Sequence, residues 1–456
     1  MYQCIISKLT NVRPLQGADR LKLANCLGSQ VIVGLDSQEE DVVLFFDTDG
    51  QLSEEYCKAN DLISYVDEEG NKKGGYFDHK RRVRAQTLRK AKSEAYVAPL
   101  SSLNFTGIDI STLNIGDRFN EINGIHICNK YYTPATIRAA KGNGPNIQSG
   151  YNKAALKKFF PEHTDTEQLR FARDEELIGL VILTGKYHGT SARTGYVQFP
   201  VAKPFKWYHK TWNKYVDIVD KVFRFPWANK DLEHNSKFHI EYENKFQKVQ
   251  GTRRVVKGQV KDDFQDYRSN CSRILLPAIE KGEIWYYEIV GYEDTCAPIM
   301  QTVSTSEMPK DFQKRFGEAI TYKYGCLPGT CEIYVYRITH RNEDGIIYEL
   351  PWAQVKNKCI KAGIKHVPEI QTLLIKEDQV NMLKQTVEYY TEEIDIAEPI
   401  DESHIREGVC IRIENQETGK VKIFKNKTFA FKVLEGIAKT NDNSIDEEEL
   451  ESLEGE

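Results

Sequence analysis

What most limits the fold of this chain is how its apolar residues are parcelled. They come in short runs bounded by turn residues, among them 177–183, 284–292, 332–338, 407–413 and 422–427. Runs of that length, rich in β-branched and aromatic side chains, read as strands. Helical spacing is confined to a few stretches, such as 309–316 and 379–390. Strands and helices in this irregular succession predict an α+β fold with antiparallel sheets flanked by helices. At 456 residues the chain has room for two or three domains.

No apolar run approaches a membrane span, and the first nine residues lack a signal-peptide layout, so no membrane partner is expected. The ten cysteines are scattered singly, apart from Cys326 and Cys331, in neither a zinc spacing nor a disulfide framework. A reducing, cytoplasmic setting is the default that follows. The net charge of −5 is uneven. Residues 441–456 hold eight acids and no base, which leaves the first 440 residues at +3. The tail is expected to be disordered and dispensable. The mildly basic body permits nucleic-acid binding without demanding it.

Along the chain, residues 1–130 read as β-rich, with strands at 30–34, 41–46, 82–85 and 95–98 spaced as in a small closed barrel. Residues 131–150, with Gly142, Gly144, Pro145 and Gly150, read as a linker. A second domain spans 151–440, and 441–456 is the acidic tail.

The chemistry concentrates after the apolar run 177–183, in Lys186-Tyr187-His188-Gly189-Thr190-Ser191. A lysine at a strand end is more often a solvated surface group. Here its amine is also placed to attack an α-phosphate, with Gly189 letting backbone approach that phosphate. Four other stretches supply matching residue types. Arg253, at a tight turn before a β-branched run, can grip phosphate with its planar fork. Glu288 stands alone in an aromatic strand, where a carboxylate is costly unless paired or holding a metal. Tyr334 and Tyr336 alternate along a strand, and either ring can stack on a base. Lys425 and Lys427 fall on one face of the second strand of a hairpin whose first strand follows Glu407. Two cations so placed repel unless they share an anion. Each stretch alone also fits an ordinary solvated edge or a core strand.

In order and content the five stretches resemble the motifs of the covalent nucleotidyltransferases, the ATP-dependent ligases and mRNA capping enzymes. Lys-x-His-Gly is similar to the opening of RNA ligases, where other relatives place Asp at the His188 position. Gly17-Ala18-Asp19-Arg20-Leu21, the segment 82–89 and 163–168 resemble the Deinococcus-type RNA ligases, whose N-terminal module is OB-like. The resemblance implies an ATP-dependent RNA ligase that joins an RNA 3′-hydroxyl to a 5′-phosphate through lysyl-AMP and an adenylylated 5′ end, sealing nicks in RNA repair. It implies Lys186 as nucleophile, with its pKa lowered by burial and cations. Arg253, Lys425 and Lys427 are the catalytic cations, and His188, Gly189, Thr190, Glu288, Tyr336 and Glu407 complete the ATP site. Mg²⁺ or Mn²⁺ is implied at Glu407 and Glu288. The implied partner is nicked duplex RNA or an RNA–DNA hybrid, held by Arg82, Arg84, Arg89 and Lys90 of the OB-like module, with the protein a monomer. Gly185 departs from the pattern, standing where many relatives carry an acid. The aromatic segment 199–238 is read as a packed surface element in preference to a substrate-binding insertion. Two alternatives stay open: a capping-type guanylyltransferase, and a non-catalytic RNA-binding protein on a ligase scaffold.

Overall fold

The computed structural model describes residues 2–66, 69–70, 72–142, 158–163, 166–203, 206–222, 242–260, 266–342, 344–443, 449–450 and 453. In the N-terminal module, strands β1 (Cys4–Lys8), β2 (Thr10–Pro14), β3 (Leu21–Cys26), β4 (Ser29–Gly34), β5 (Val42–Asp47), β6 (Ala95–Pro99) and β7 (Arg118–Phe119) form two main sheets. Their orders are β6-β5-β1-β7 and β2-β3-β4. Val31 and Val33 of β4 face Val43 and Phe45 of β5, while Leu44 and Phe46 face the other way onto Tyr56 and Leu103. That alternation is the period-two pattern of the sequence made physical.

The expected closed barrel is not found among the described residues, where the strands form separate small sheets. The stretch 82–85, expected as a strand, adds none to them. It makes a single bridge, Arg82 to Gln51, in place of a ladder. Arg82 is instead turned into the second module, where Nη1 donates to Gly436 O at 2.9 Å. The first part of the expected linker is also ordered: Pro134–Gly142 is helical and capped by Thr133, whose Oγ1 accepts from Thr136 N at 3.2 Å. Residues 143–150 of that linker lie outside the described residues.

The second module contains β8 (Glu167–Gln168), β9 (Gly179–Lys186), β10 (Thr190–Ala202), helix α1 (Trp207–Val222), β11 (Tyr242–Thr252), β12 (Val256–Gln259), β13 (Glu283–Gly291), β14 (Cys331–Arg341), β15 (Ile347–Glu349), β16 (Glu369–Ile375), β17 (Gly408–Glu414), β18 (Val421–Lys427) and helix α2 (Phe429–Ala438). One sheet runs β8-β18-β17-β9-β16 and the other β12-β11-β10-β13-β14-β15. Every pairing in them is antiparallel except β8 with β18. The fold is α+β, mostly antiparallel with flanking helices. Ile182 packs into the core between the sheets with Trp285, Tyr287, Val335, Phe431 and Leu434. Its neighbours Val181 and Leu183 face the opposite side, against Leu383 and Val387. The chain leaves one sheet at Lys186 and enters the other at Thr190, so the turn between them sits where the two sheets meet.

The modules are joined by charge. Lys432 reaches Glu94 at 2.7 Å, Lys439 reaches Asp49 at 2.9 Å, and Arg170 reaches Asp47 at 3.3 Å. The tail takes part as well. Asp442 pairs with Lys80 at 2.7 Å, and Glu449, 4 % exposed, pairs with Lys439 at 2.9 Å and Lys130 at 3.1 Å. The expectation of a tail without structure does not hold at these two residues. In 199–238, read from the sequence as a packed element, Trp207, Trp212 and Tyr215 of α1 are exposed. No helix among the described residues is long and apolar enough to cross a membrane.

Candidate functional site

A cleft of about 1080 Å³, counting its open mouth, lies between the two large sheets. Lys186, His188, Gly189, Arg253, Glu288, Tyr336, Glu407, Lys425 and Lys427 all line it. Segments far apart in the chain converge because β9, β17 and β18 are neighbours in one sheet, while β10, β13 and β14 are neighbours in the other. Thr190 does not line the cleft. Its Oγ1 accepts from Arg268 Nη2 at 2.8 Å, an internal contact.

The turn that presents Lys186 is fixed from three sides. His188 N donates to Tyr324 Oη at 2.7 Å. The His188 ring stands edge-on to Tyr322 and Phe431, with centroids 4.7 and 4.9 Å away. Burial pushes its pKa down to about 4, so the ring packs as a neutral group. Gly189 is pressed against β13. A β-carbon there would lie 2.3 Å from Ile289 O, and its N–H donates to Glu288 Oε1 at 3.1 Å. Ser191 Oγ donates to the other oxygen of Glu288 at 2.9 Å. The acid inside the aromatic strand is thereby explained: it is tied to the loop after the lysine.

Lys186 Nζ lies 2.8 Å from Glu407 Oε1. Burial works to lower the lysine's pKa, but the Glu407 carboxylate beside it holds it above the ordinary value. The expected lowering at Lys186 is therefore not what the cleft shows. The cleft lysine that is lowered is Lys425, pushed down to about 8 by burial and then by Lys427, Lys186 and Arg253. Lys427 lies 3.5 Å from Glu407. Burial works to lower it too, but Glu435 and Glu407 hold it well above the usual range.

The donor set suits a divalent cation at one point. Glu407 Oε2 is buried with no hydrogen-bond partner. Burial alone would protonate that carboxylate, but Lys186 and Lys427 keep it ionised. An oxygen of that kind fits Mg²⁺ or Mn²⁺ when phosphate oxygens and water supply the other ligands. Both oxygens of Glu288 already accept protein donors. Among the described residues no group of three or more His, Cys, Asp or Glu comes together to hold a metal ion unaided.

Other residues lining the cleft or supporting it from behind escaped the sequence reading as site residues. His163 meets the Tyr336 ring edge-on at 5.0 Å. Trp352 donates its Nε1–H to Glu369 at 2.8 Å. Glu435 reaches the cleft from α2. Arg193, fully buried, donates to the carbonyls of Thr252 and Arg253 and so shapes the arginine turn. Of the expected nucleic-acid contacts, Arg82 is buried against α2, and Arg84 faces Glu307 of the second module at 3.5 Å. Arg89 and Lys90 form the exposed tip of a hairpin, both with positive φ.

The fold resembles that of a solved RNA ligase. The RNA ligase of Naegleria gruberi with pyrophosphate matches with a TM-score of 0.50 and 14 % identity, over 94 % of this chain and 97 % of that one. A lysine-to-alanine variant of it with ATP and manganese matches with a TM-score of 0.51 and 13 % identity, over 94 % and 98 %. A glutamate-to-alanine variant with AMP and manganese matches with a TM-score of 0.51 and 14 % identity, over 94 % and 97 %. No family model matches the chain, and no curated protein matches it.

Proposed function

We propose that this protein is an ATP-dependent RNA ligase that seals an RNA 3′-hydroxyl to a 5′-phosphate. The observation that carries the reading is the convergence of Lys186, Lys425, Lys427 and Arg253 on one cleft. Glu407 and Glu435 offset part of that charge, the gathered cations suit a polyanion, and one of them sits on a tightly fixed turn as a nucleophile must.

In the first step Lys186 Nζ attacks the α-phosphorus of ATP. A P–N bond forms, the bond to pyrophosphate breaks, and Lys186 carries AMP. The amine must first shed its proton and its contact with Glu407. Lys425, Lys427 and Arg253 offset the charge that builds on the departing pyrophosphate. Tyr336 is the surface for the base, and Glu288, at the loop after the lysine, is placed for the ribose. Glu407 is the residue that would hold a divalent cation, which supplies charge neutralisation at the phosphates when bound. The AMP then passes to the 5′-phosphate of the RNA. The 3′-hydroxyl attacks that phosphate, AMP leaves, and a phosphodiester results.

Incubation with labelled ATP or GTP and manganese, followed by peptide mapping, tests the first step. Label from ATP on Lys186 supports the reading. Label from GTP alone identifies a capping-type guanylyltransferase, and no label with retained RNA binding identifies a binding protein. Sealing of matched nicks with RNA or DNA at each end then defines the substrate.

A further inference from the structure

Helix α2 starts directly after Lys427 and carries Glu435 back to it. Both oxygens of Glu435 accept from Lys427 Nζ, at 3.0 and 2.9 Å. One turn further on, Lys439 Nζ is 3.6 Å from Glu435 Oε1. Closer partners hold that lysine: Asp49 of the N-terminal module and Glu449 of the acidic tail, each at 2.9 Å. The side chains of Lys439 and Glu449 are both 5 % exposed, so these pairs act with little screening.

We propose that Glu435 is the positioning residue for Lys427 in adenylyl transfer, and that Asp49 and Glu449 keep Lys439 from drawing Glu435 away. The proposal rests on the reading of Lys427 as a contact to the departing pyrophosphate. A lysine carries a compact ammonium on a flexible stem. In this cleft Lys427 shares space with Lys186 and Lys425, whose charge repels it, and Glu407 stands nearer to Lys186, at 2.8 Å, than to Lys427, at 3.5 Å. The two-oxygen grip of Glu435 fixes the stem. Lys439, relieved of Asp49 and Glu449, would close the 3.6 Å gap and compete for that grip. The N-terminal module and the tail thus reach the reacting centre through one helix.

A distinctive kinetic pattern follows. Glu435 is itself an anion beside a phosphate site, so its loss does not weaken ATP binding in the ground state. What is lost is the placement of Lys427 as pyrophosphate departs. In the full chain, Glu435→Gln lowers kcat for Lys186 adenylylation about tenfold with KM for ATP unchanged or lower. In a Lys427→Ala background the same substitution costs nothing further. Glu435→Asp recovers part of the rate, and Asp49→Asn with Glu449→Gln lowers kcat in the same sense. An unchanged kcat overturns the proposal, as does an equal loss with and without Lys427. A second measurement needs no chemistry at the site. Acetylation of Lys427 by acetic anhydride, followed by mass spectrometry of the native chain, becomes about tenfold faster in Glu435→Gln as the amine is released. An unchanged acetylation rate overturns the hold on Lys427 whatever ATP does. Faster acetylation in a protein that ATP never labels keeps the hold and removes the ligase reading.

Discussion

Glu407, 2 % exposed, stands 2.8 Å from Lys186 and 3.5 Å from Lys427, so one buried carboxylate faces two lysines of the cleft. In this geometry the pair keeps Lys186 as an ammonium, which cannot attack. On the proposed reading, nucleotide and metal have to draw that carboxylate away before the amine can react, which would couple activation to substrate binding.

Lys186→Ala is expected to abolish labelling by ATP, because no other group can form the phosphoramidate. It should still seal a nick that already carries the adenylate, since that step does not use the amine as nucleophile. Gel analysis of both substrates checks this, and undiminished labelling of the variant removes Lys186 from its role.

Lys425 couples activity to stability. Its folded pKa of about 8 lies below the 10.5 of a free lysine. Between those values the unfolded chain binds a proton that the folded chain does not. Stability therefore rises with pH through that window, and the full cost of the buried charge is felt below it. Lys425→Met should raise Tm at neutral pH, with a gain that shrinks above about pH 8. Adenylylation should fall at least about tenfold, roughly 1.4 kcal/mol of transition-state stabilisation. A Tm that does not rise at neutral pH refutes the stability argument.

Gly189→Ala places a methyl group 2.3 Å from Ile289 O and 2.9 Å from Val290 Cγ1. Backbone on one side and a core side chain on the other leave no easy retreat. Loss of labelling by at least about tenfold is expected, with a Tm lowered by several degrees, equivalent to about 1–3 kcal/mol. Thermal melts beside ATP labelling are the measurement.

A chain ending at Thr440 removes Glu449 from Lys439 and Lys130, and Asp442 from Lys80. Removing one carboxylate from the buried Lys439 should cost about 1–3 kcal/mol in denaturant unfolding. Retention of full stability would restore the view of the tail as dispensable.

The basic cluster of the N-terminal module should divide in two. Arg89→Glu with Lys90→Glu is expected to weaken RNA binding and flatten its salt dependence, as loss of phosphate contacts does. Arg82→Ala should instead lower stability and leave the salt slope alone, because its guanidinium donates to Gly436 O. A salt series on both variants separates these outcomes.

Much of the site was legible because it is written in strands. Period-two alternation places Lys425 and Lys427 on one face wherever their strand is put, and Gly189, three residues after Lys186, announces a close approach. Thr190 was misplaced because adjacency in sequence says nothing about which side of a turn a side chain takes. Glu435 and His163 were missed as site residues because their roles come from partners far along the chain. Glu435 sits in an ordinary amphipathic helix, and only the pairing of α2 with Lys427 gives it meaning. Arg82 and the tail misled for one reason: charge read in a sequence looks solvated until a partner surface is known.

The lysine strand β9 lies between β16 and β17, both of which come much later in the chain. Gly179–Lys186 pairs, among the described residues, with Glu369–Ile375 on one edge and Gly408–Glu414 on the other. During vectorial synthesis the strand that carries Lys186 therefore emerges with both edges open and stays so until most of the domain has been translated. Pairings of such long sequence separation close slowly and expose strand edges meanwhile. Assembly of the cleft is a late event in the life of the nascent chain, and the interval before it leaves the edges of this strand open to wrong partners.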